Sequence, residues 1–340
     1  MLNIVICGGG NLATVCAGFF ASQEEVKVSV LTRKPQAWSL HPEVTDCKGQ
    51  CFTGQLVAVS HRPEDVIPQA DLILLCLPGF AIEEVLQQIG PCLQKNAVVG
   101  SVVANTGFFF MAHRCLPEMQ PLFGFQRVPF IARTENYGQK AQLRGYKPQL
   151  HVAVEHAADP EALRRVLEQL FRTPVSLLHN FYEASLSNSN PILHTGRLYT
   201  LWKEWDGKPS EKPIFFYDEW TDEASEMILR MDEELMRLTR LLGVTKEAIP
   251  PLLTYYESSD AASLTRKIRS IEAFHGILAP MRETPAGWVP DFTSRYFTED
   301  FPFGLRFIHD LLHQHHINAP YIDEVFEWGM NGPACREVSR

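Results

Sequence analysis

The sequence lacks the features that mark membrane, secreted and nucleic-acid-binding proteins. No apolar run reaches the roughly 18 residues that a membrane-spanning helix needs. The first residues, MLNIVICGGG, show no basic segment before an apolar one, so we expect no secretory signal and a cytoplasmic protein. The 340 residues include 40 acidic and 31 basic side chains, and the resulting formal net charge of −9 argues against a nucleic-acid partner.

The chain also lacks the cysteine spacings of disulfide-rich and zinc-binding proteins. Its eight cysteines are scattered, and Cys47 and Cys51 have no second Cys or His pair at zinc-ligand spacing. We therefore predict reduced, buried thiols and no metal site. His313, His315 and His316 lie together near the end of a predicted helix, and we expect them to face solvent.

What the sequence does contain is a regular alternation of strand and helix patterns over its first half. The predicted strands are 3–8, 26–33, 68–79, 97–107, 149–155 and 174–180, and the predicted helices are 11–22, 81–93 and 160–172. Strands that alternate with helices build parallel sheets. This half therefore predicts a doubly wound α/β fold of the Rossmann type, with its ligand at the carboxyl ends of the strands.

The second half shows the periodicity of long helices instead. Predicted helices span 222–242, 261–271 and 303–313, and Gly243 stands where a helix C-cap glycine is expected. The change of pattern predicts two domains. We assign residues 1–180 to the Rossmann-type domain and residues 181–340 to an all-α domain.

The first strand and helix are joined by a glycine-rich turn, ICGGGNLATVCAG. It fits the dinucleotide-binding pattern Gly8-x-Gly10-x-x-Ala13, in which the glycines permit a tight turn and close approach of the pyrophosphate. The helix N-terminus at Asn11 and Leu12 would face the phosphates. Its place in the first βαβ unit favours NAD(P). Another Rossmann ligand such as a flavin, or a turn that binds nothing, stays an alternative.

The second predicted strand ends without the carboxylate that usually binds the ribose of NAD. Its last residues are VLTRKPQ, in which Arg33 and Lys34 could face a 2′-phosphate and Thr32 could donate a hydroxyl. This favours NADP(H) over NAD(H), although the two bases could also be merely solvated. Pro78, near the end of another predicted strand, is assigned to the same cofactor edge.

The segment SLSNSNPILHTG contains the histidine whose role the sequence leaves most open. His194 could be a core residue, a metal ligand, or a general acid/base. Nothing at metal-ligand spacing lies near it apart from Asn190. An acid/base histidine needs a carboxylate that holds its tautomer. The polar cluster in SRYFTEDFPFG offers Glu299 and Asp300 for that purpose.

Together these segments resemble the opine dehydrogenase family, of the octopine/nopaline dehydrogenase type. The resemblance covers most of the chain and rests on GGGNLA, LFGFQRVPFIAR (122–133), ASLSNSNPILHTG, FFYDEW and RYFTEDFPFGL. The second and last of these, with the Asn-Pro-x-x-His segment, are specific to the family. A generic Rossmann enzyme would not show them together.

The resemblance implies an NAD(P)-dependent oxidoreductase acting on CH–NH bonds, with a helical domain similar to the C-terminal domain of 6-phosphogluconate dehydrogenase. Such enzymes reversibly condense an amino acid with a 2-oxo acid and reduce the imine. His194 is then the catalytic histidine, Asp300 its partner, and Arg295 a contact to the cofactor pyrophosphate. Asn190, one helical turn before His194, and Gln126 are candidate substrate-binding residues.

Two other functions are compatible with the sequence, a ketopantoate reductase-like reductase of 2-oxo acids and a non-catalytic NADP-binding sensor. Ketopantoate reductases use a prominent lysine, for which Lys203 is poorly suited, and a sensor has no use for a His–Asp pair. Trp202, Trp205, Tyr217 and Trp220 could line the amine pocket, although we expect most of them in the core. A homodimer is compatible with the helical domain, but no pattern requires one.

Overall fold

The structure is a computed structural model that describes residues 1–331. The chain divides into two compact units, Met1–Ser185 and a second unit that begins at Leu186. The sequence places the boundary slightly earlier, at residue 180. The division falls after Ser185 because the short helix Phe181–Ser185 packs on strands of the first unit.

The first unit is an α/β domain in which strands and helices alternate. Its strands are β1 (Leu2–Cys7), β2 (Val26–Leu31), β3 (Glu43–Asp46), β4 (Cys51–Thr53), β5 (Ala58–Ser60), β6 (Leu72–Leu75), β7 (Val98–Ser101), β8 (Leu122–Phe125), β9 (Phe130–Asn136), β10 (Lys140–Tyr146), β11 (Leu150–Glu155) and β12 (Val175–Leu177). Its helices are α1 (Asn11–Ala21), α2 (Pro63–Val66), α3 (Gly79–Ile89), α4 (Phe108–Cys115), α5 (Pro160–Phe171) and α6 (Phe181–Ser185).

Eight strands form one sheet in the order β12-β11-β8-β7-β6-β1-β2-β5, and all neighbours are parallel except β8 and β11. β1 has β2 on one side and β6 on the other, so the order in which successive strands are added to the sheet reverses at β1. In sheets of this kind such a switch point leaves a crevice at the carboxyl ends of the strands, where ligands bind. The predicted Rossmann-type fold is confirmed.

A second sheet, in the order β4-β3-β10-β9, was missed by the sequence analysis. Helix α1 packs on both sheets, and this explains why it is apolar on nearly all sides. Gly18 allows the close approach, because a Cβ at this position would lie 2.7 Å from Cγ2 of Val44.

The second unit is helical, as predicted, and it also contains one hairpin that the sequence analysis missed. Its helices are α7 (Asn190–Trp202), α8 (Asp222–Leu241), α9 (Leu252–Tyr255), α10 (Ala261–Arg269), α11 (Arg295–Thr298), α12 (Arg306–Gln314) and α13 (Pro320–Asn331), and the antiparallel hairpin is β13 (Met281–Thr284) with β14 (Gly287–Pro290).

The long helix α8 organises this unit. Thr221 caps it by accepting a hydrogen bond from the N–H of Ala224, and its buried apolar residues recur at three- and four-residue steps. The buried face packs on α7, α10 and α13. At Gly196 the backbone of α7 comes so near α8 that a Cβ would lie 2.8 Å from Cγ1 of Ile228.

The cysteines of residues 1–331 are all free thiols. Cys7, Cys16 and Cys76 are buried, but Cys47 and Cys51 are exposed, which corrects the prediction of buried thiols. Cys47 lies in the turn after β3, and Cys51 begins β4, an edge strand of the smaller sheet. Cys335 lies outside the described residues. None of the described helices has an apolar stretch long enough to cross a bilayer.

Candidate active site

The glycine-rich turn lies at the switch point of the eight-stranded sheet. Gly8 follows β1 with φ +133°, a conformation that residues with side chains rarely adopt. A Cβ at Gly8 would also lie 2.6 Å from the carbonyl oxygen of Cys76, just after β6. At Gly10, by contrast, an added Cβ would meet no atom within 4 Å. Glycine is therefore needed at position 8 for the turn. Gly10 leaves open space in front of α1.

A cavity of about 540 Å³ lies at these strand ends. The predicted cofactor residues that line it are Gly8, Gly10, Thr32, Arg33, Lys34 and Pro78. Asn11, Leu12 and Ala13 form the first turn of α1, which carries no acidic side chain, so no carboxylate within that turn offsets the positive end of the helix. Open glycine backbone before a helix N-terminus fits a pyrophosphate group.

Tyr137 lines the same cavity, and the sequence analysis missed it. It lies in the turn between β9 and β10, and its hydroxyl is 3.1 Å from Oγ1 of Thr32. The phenol lies so near Gly9 that a Cβ there would collide with it. Its ring packs edge-on against Trp38. No local pattern reveals this residue, because it reaches the glycine turn only through the smaller sheet.

Basic side chains outnumber acidic ones among the residues that line the cavity. Arg33, Lys34 and His61 line it, and Glu84 is the one acidic residue among its lining residues in the described part of the chain. Two thiols also line it, and burial raises the pKa of Cys7 to about 12 and that of Cys76 well above its ordinary value. Both thiols are therefore neutral, and the basic side chains of the lining favour an anion.

The second group of predicted residues lies on α7, which begins at Asn190. Pro191 occupies the first turn, where its missing N–H costs nothing. Asn190 and His194 share a helix face because they are four residues apart. The His194 residue is only 9% exposed. Its Nδ1 lies 2.8 Å from Oδ2 of Asp300, and its Nε2 lies 2.9 Å from the hydroxyl oxygen of Tyr217.

Asp300 determines which ring nitrogen of His194 carries the proton. A carboxylate can only accept, so the Nδ1–H donates to Asp300. In the neutral imidazole Nε2 then accepts the hydrogen bond from Tyr217. Nε2 is therefore the nitrogen that can exchange a proton with a substrate.

Packing between two sequence motifs brings Asp300 to His194. Asp300 directly precedes a π-helical turn, Phe301–Leu305. Gly304 in that turn packs against Pro191 so closely that a Cβ would lie 2.6 Å from the proline Cγ. The Asn-Pro-x-x-His and Phe-Pro-Phe-Gly segments thus fit against each other, which gives a physical reason for their joint occurrence.

Tyr217 is a buried residue whose hydroxyl is held in place by a stack of side chains. Its ring is nearly parallel to that of Trp220, at 5°, and its centroid lies 4.1 Å from that of Phe274. The buried guanidinium of Arg197 lies 5.4 Å from the Trp220 ring and donates hydrogen bonds to two carbonyls in the 216–219 segment. Burial lowers the pKa of Arg197 to about 10, so it is still charged at neutral pH.

The phenols around His194 stay protonated. Burial raises the pKa of Tyr217 well above its ordinary value, and the neighbouring Tyr296 and Asp300 raise it further. Burial and Asp300 likewise raise the pKa of Tyr296, whose ring centroid is 4.7 Å from that of His194. Tyr217 therefore serves as a hydrogen-bond donor to the imidazole.

Three further predicted site residues make contacts within their own units. The exposed guanidinium of Arg295 makes two hydrogen bonds with the Glu299 carboxylate, at 3.0 and 2.8 Å. The Asn11 side chain accepts from a backbone N–H of β9. The Gln126 amide donates to the carbonyl of Glu183.

The remaining candidates from the sequence are mostly structural. Lys203 pairs with Glu223 at 2.8 Å. Trp202 and Trp220 are buried in the core, and Trp205 is half-buried. Of the four aromatic residues considered, Tyr217 is the one that touches His194 through a polar atom.

Comparison with known proteins finds family matches in both the α/β unit and the helical unit. Residues 177–332 match the family described as NAD/NADP octopine/nopaline dehydrogenase, alpha-helical domain, and residues 4–104 match the ketopantoate reductase family PanE/ApbA. The opine dehydrogenase of Haliotis discus hannai is 28% identical, over 96% of this chain and 89% of the relative. The tauropine dehydrogenase of Arabella iricolor is 27% identical, over 96% and 90%.

Solved structures share the fold. Octopine dehydrogenase with NADH and L-arginine has a TM-score of 0.85 at 24% identity and covers 97% of this chain and 89% of its own. Yersinopine dehydrogenase with bound NADP⁺ has a TM-score of 0.70 at 13% identity, with 99% and 91% covered.

Fold, family matches and relatives together define the class of protein, an NAD(P)-dependent oxidoreductase. More particularly, the predicted resemblance to the opine dehydrogenase family is confirmed. The chain resembles the opine dehydrogenase of Haliotis discus hannai over 96% of its length, and residues 177–332 match the helical-domain model of the octopine/nopaline dehydrogenases.

Proposed function

We propose that the chain catalyses the reversible condensation of an amino acid with a 2-oxo acid and the reduction of the resulting imine with NAD(P)H. The amine nitrogen bonds to the oxo carbon, the carbonyl oxygen leaves as water, and a hydride reaches the same carbon. The product is a secondary amine dicarboxylate. The observation that carries the proposal is His194, buried between Asp300 and Tyr217. The names of the relatives support it.

His194 is the proposed carrier of protons in this reaction. With Nδ1–H held by Asp300, Nε2 accepts a proton from the attacking amine and returns it to the oxygen that leaves as water. The Asp300 carboxylate stabilises the imidazolium in between. For this transfer the substrate replaces the Tyr217 hydroxyl as the hydrogen-bond partner of Nε2. The nicotinamide cofactor, when bound, supplies the hydride.

The remaining site residues keep the roles that the resemblance implies, as proposals. Asn190, one turn before His194, would orient the oxo acid or the nicotinamide amide. Gln126 would bind a substrate carboxylate, and Arg295 would exchange its Glu299 contact for the cofactor pyrophosphate. A homodimer stays a prediction.

A cofactor-oxidation assay tests the reaction. NADPH and NADH oxidation are followed with pyruvate, with and without a panel of amino acids. Oxidation that needs both substrates supports opine formation. Oxidation with the oxo acid alone indicates a ketopantoate reductase-like enzyme, which the match of residues 4–104 makes the second candidate. No oxidation with any combination favours a non-catalytic sensor.

We further propose that NADP(H) is preferred over NAD(H). Arg33, Lys34 and His61 line the cavity, and no carboxylate directly follows β2. A charge-assisted hydrogen bond to a 2′-phosphate contributes about 1.5–3 kcal/mol, or about 10- to 100-fold in affinity.

Replacing the two bases tests the cofactor preference. Arg33→Ala combined with Lys34→Ala should weaken NADPH binding about 10- to 100-fold and leave NADH binding almost unchanged. The control is Arg62→Ala, which removes an exposed cation that pairs with Glu64 and does not line the cavity. Equal losses for both cofactors in the double variant would contradict the preference.

A further inference from the structure

Helices α12 and α13 bring three potential metal ligands together, and none of them belongs to the proposed catalytic pair. His309 and His313 are four residues apart on α12 and therefore point the same way. Asp323 lies in the first turn of α13. One ligand atom from each of the three side chains lies within 4.8 Å of the other two. From the sequence, His313 is expected only to face solvent, and its proximity to His309 and Asp323 is not apparent.

The distances suit a small divalent cation. Oδ1 of Asp323 lies 2.9 Å from Nε2 of His313 and 3.7 Å from Nε2 of His309. In a tetrahedral zinc site with metal–ligand bonds near 2.0–2.1 Å, ligand atoms are roughly 3.3 Å apart. The three atoms need only small rotations to surround one ion, and water can complete the coordination.

A second carboxylate fixes the tautomer of His309. Its Nδ1 lies 3.0 Å from Oδ1 of Asp310. Because a carboxylate can only accept, the Nδ1–H donates to Asp310, and the Nε2 lone pair faces Asp323 and His313. A carboxylate behind a metal-binding histidine is the usual support of such ligands.

The surroundings hold the ligands in place. The His309 ring stacks on Phe326 with centroids 4.1 Å apart, and its side chain is only 20% exposed. The start of α13 is anchored by the buried Glu234, which accepts hydrogen bonds from the backbone N–H groups of Tyr321 and Ile322. Two of the three ligands are thus fixed by packing before any ion arrives, while the exposed His313 can adjust.

We propose that His309, His313 and Asp323 bind a divalent transition-metal ion, Zn²⁺ foremost, which clamps α12 to α13. Two imidazoles and a carboxylate are the donor types that select Zn²⁺ over Mg²⁺ or Ca²⁺. The clamp stabilises the helical unit and takes no part in the proposed hydride chemistry. It is independent of the proposed function, because the two sites share no ligand or catalytic residue.

Titration of the chelator-treated full chain with Zn²⁺ tests the proposal, by calorimetry and by the rise of the melting temperature. A Cys47→Ser, Cys51→Ser background removes the thiols that are exposed within residues 1–331. We expect one Zn²⁺ per chain, loss of binding in His313→Ala and in Asp323→Asn, and about 10- to 100-fold weaker binding in Asp310→Asn. The matched control is His315→Ala, two residues from His313, which should bind as the parent does.

Co²⁺ provides a readout that does not depend on stability. Four-coordinate Co²⁺ gives strong visible absorption, which should appear with the parent and disappear with His313→Ala. Circular dichroism of each variant shows whether it is folded; His313 is largely exposed, so its removal leaves the core intact. Absence of Zn²⁺ binding to the parent, or equal binding to the parent, His313→Ala and Asp323→Asn, would overturn the proposal.

Discussion

At the scale of single residues, the central feature is the hydrogen-bonded chain from Asp300 through His194 to Tyr217. Each member has a different support: Asp300 precedes a π-helical turn, His194 lies on α7, and Tyr217 is held by aromatic stacking. Charge and proton position are therefore fixed before a substrate binds. Such preorganisation is what general acid/base catalysis requires.

His194→Ala should lower the turnover number by about 10²- to 10⁴-fold while NADPH binds almost as tightly as to the parent. The reason is that the substitution removes the proposed proton carrier but no residue that lines the proposed cofactor cavity. Steady-state kinetics and NADPH fluorescence titration measure the two quantities. Unchanged turnover would show that His194 is not the acid/base.

At the scale of secondary-structure elements, the position of Asp300 depends on how the π-helical turn packs against α7. Gly304→Ala places a methyl group 2.6 Å from Cγ of Pro191. We expect the free energy of unfolding to fall by about 1–3 kcal/mol, because overpacking forces the two segments apart. Turnover should fall with it, since Asp300 is displaced from His194.

Gly90→Ala is the matched control for this substitution. Gly90 follows α3 in a helical conformation. A Cβ added there would lie 3.5 Å from the carbonyl oxygen of Cys115, which is an ordinary contact. Urea unfolding and steady-state kinetics of both variants provide the comparison. Equal behaviour of the two variants would show that the contact with Pro191 does not position Asp300.

Helix α8 carries a buried acid whose ionisation is unfavourable. Burial raises the pKa of Asp232 to about 6, while its carboxyl group accepts a hydrogen bond from the N–H of Leu252. Because the folded-state pKa lies above the unfolded one, the stabilisation by protonation is complete below the unfolded pKa and is lost as pH rises through about 6.

Asp232→Asn should therefore stabilise the protein at pH 7. The amide cannot ionise and can still accept from Leu252, so we expect a gain of about 1–3 kcal/mol in the free energy of unfolding. The gain should shrink towards zero near pH 4, where the parent carboxyl is also neutral in the folded protein. Urea unfolding between these two pH values measures it; a gain that does not depend on pH would contradict the assignment.

At the scale of the whole molecule, the proposed cofactor cavity belongs to one unit and the proposed acid/base residues belong to the other. The cavity at the glycine turn is built from residues of Met1–Ser185, and His194, Asp300 and Tyr217 all belong to the second unit. Each function can therefore be lost by substitutions that leave the other unit intact.

NADPH should protect the first unit selectively in hydrogen exchange. A ligand at about 100 times its dissociation constant stabilises the folded state by about 2.7 kcal/mol. We expect slower exchange of backbone amides in 8–13 and 76–80, around the glycine turn, in both the parent and His194→Ala. If NADPH slows amide exchange in other segments but not around the glycine turn, the cofactor binds elsewhere.

The sequence by itself determined the fold class, the glycine turn and the identity of the His–Asp pair. The alternation of patterns and the Gly8-x-Gly10 spacing are local, and the family resemblance joined His194 to Asp300 across 106 positions of the chain. Only the tertiary structure decided which other side chains meet these residues. Tyr137 reaches the cofactor cavity through the smaller sheet, Tyr217 reaches His194 through a stack of rings, and Asp323 reaches His313 from the next helix. Such contacts depend on how separate elements pack against each other, which neither periodicity nor motif spacing encodes.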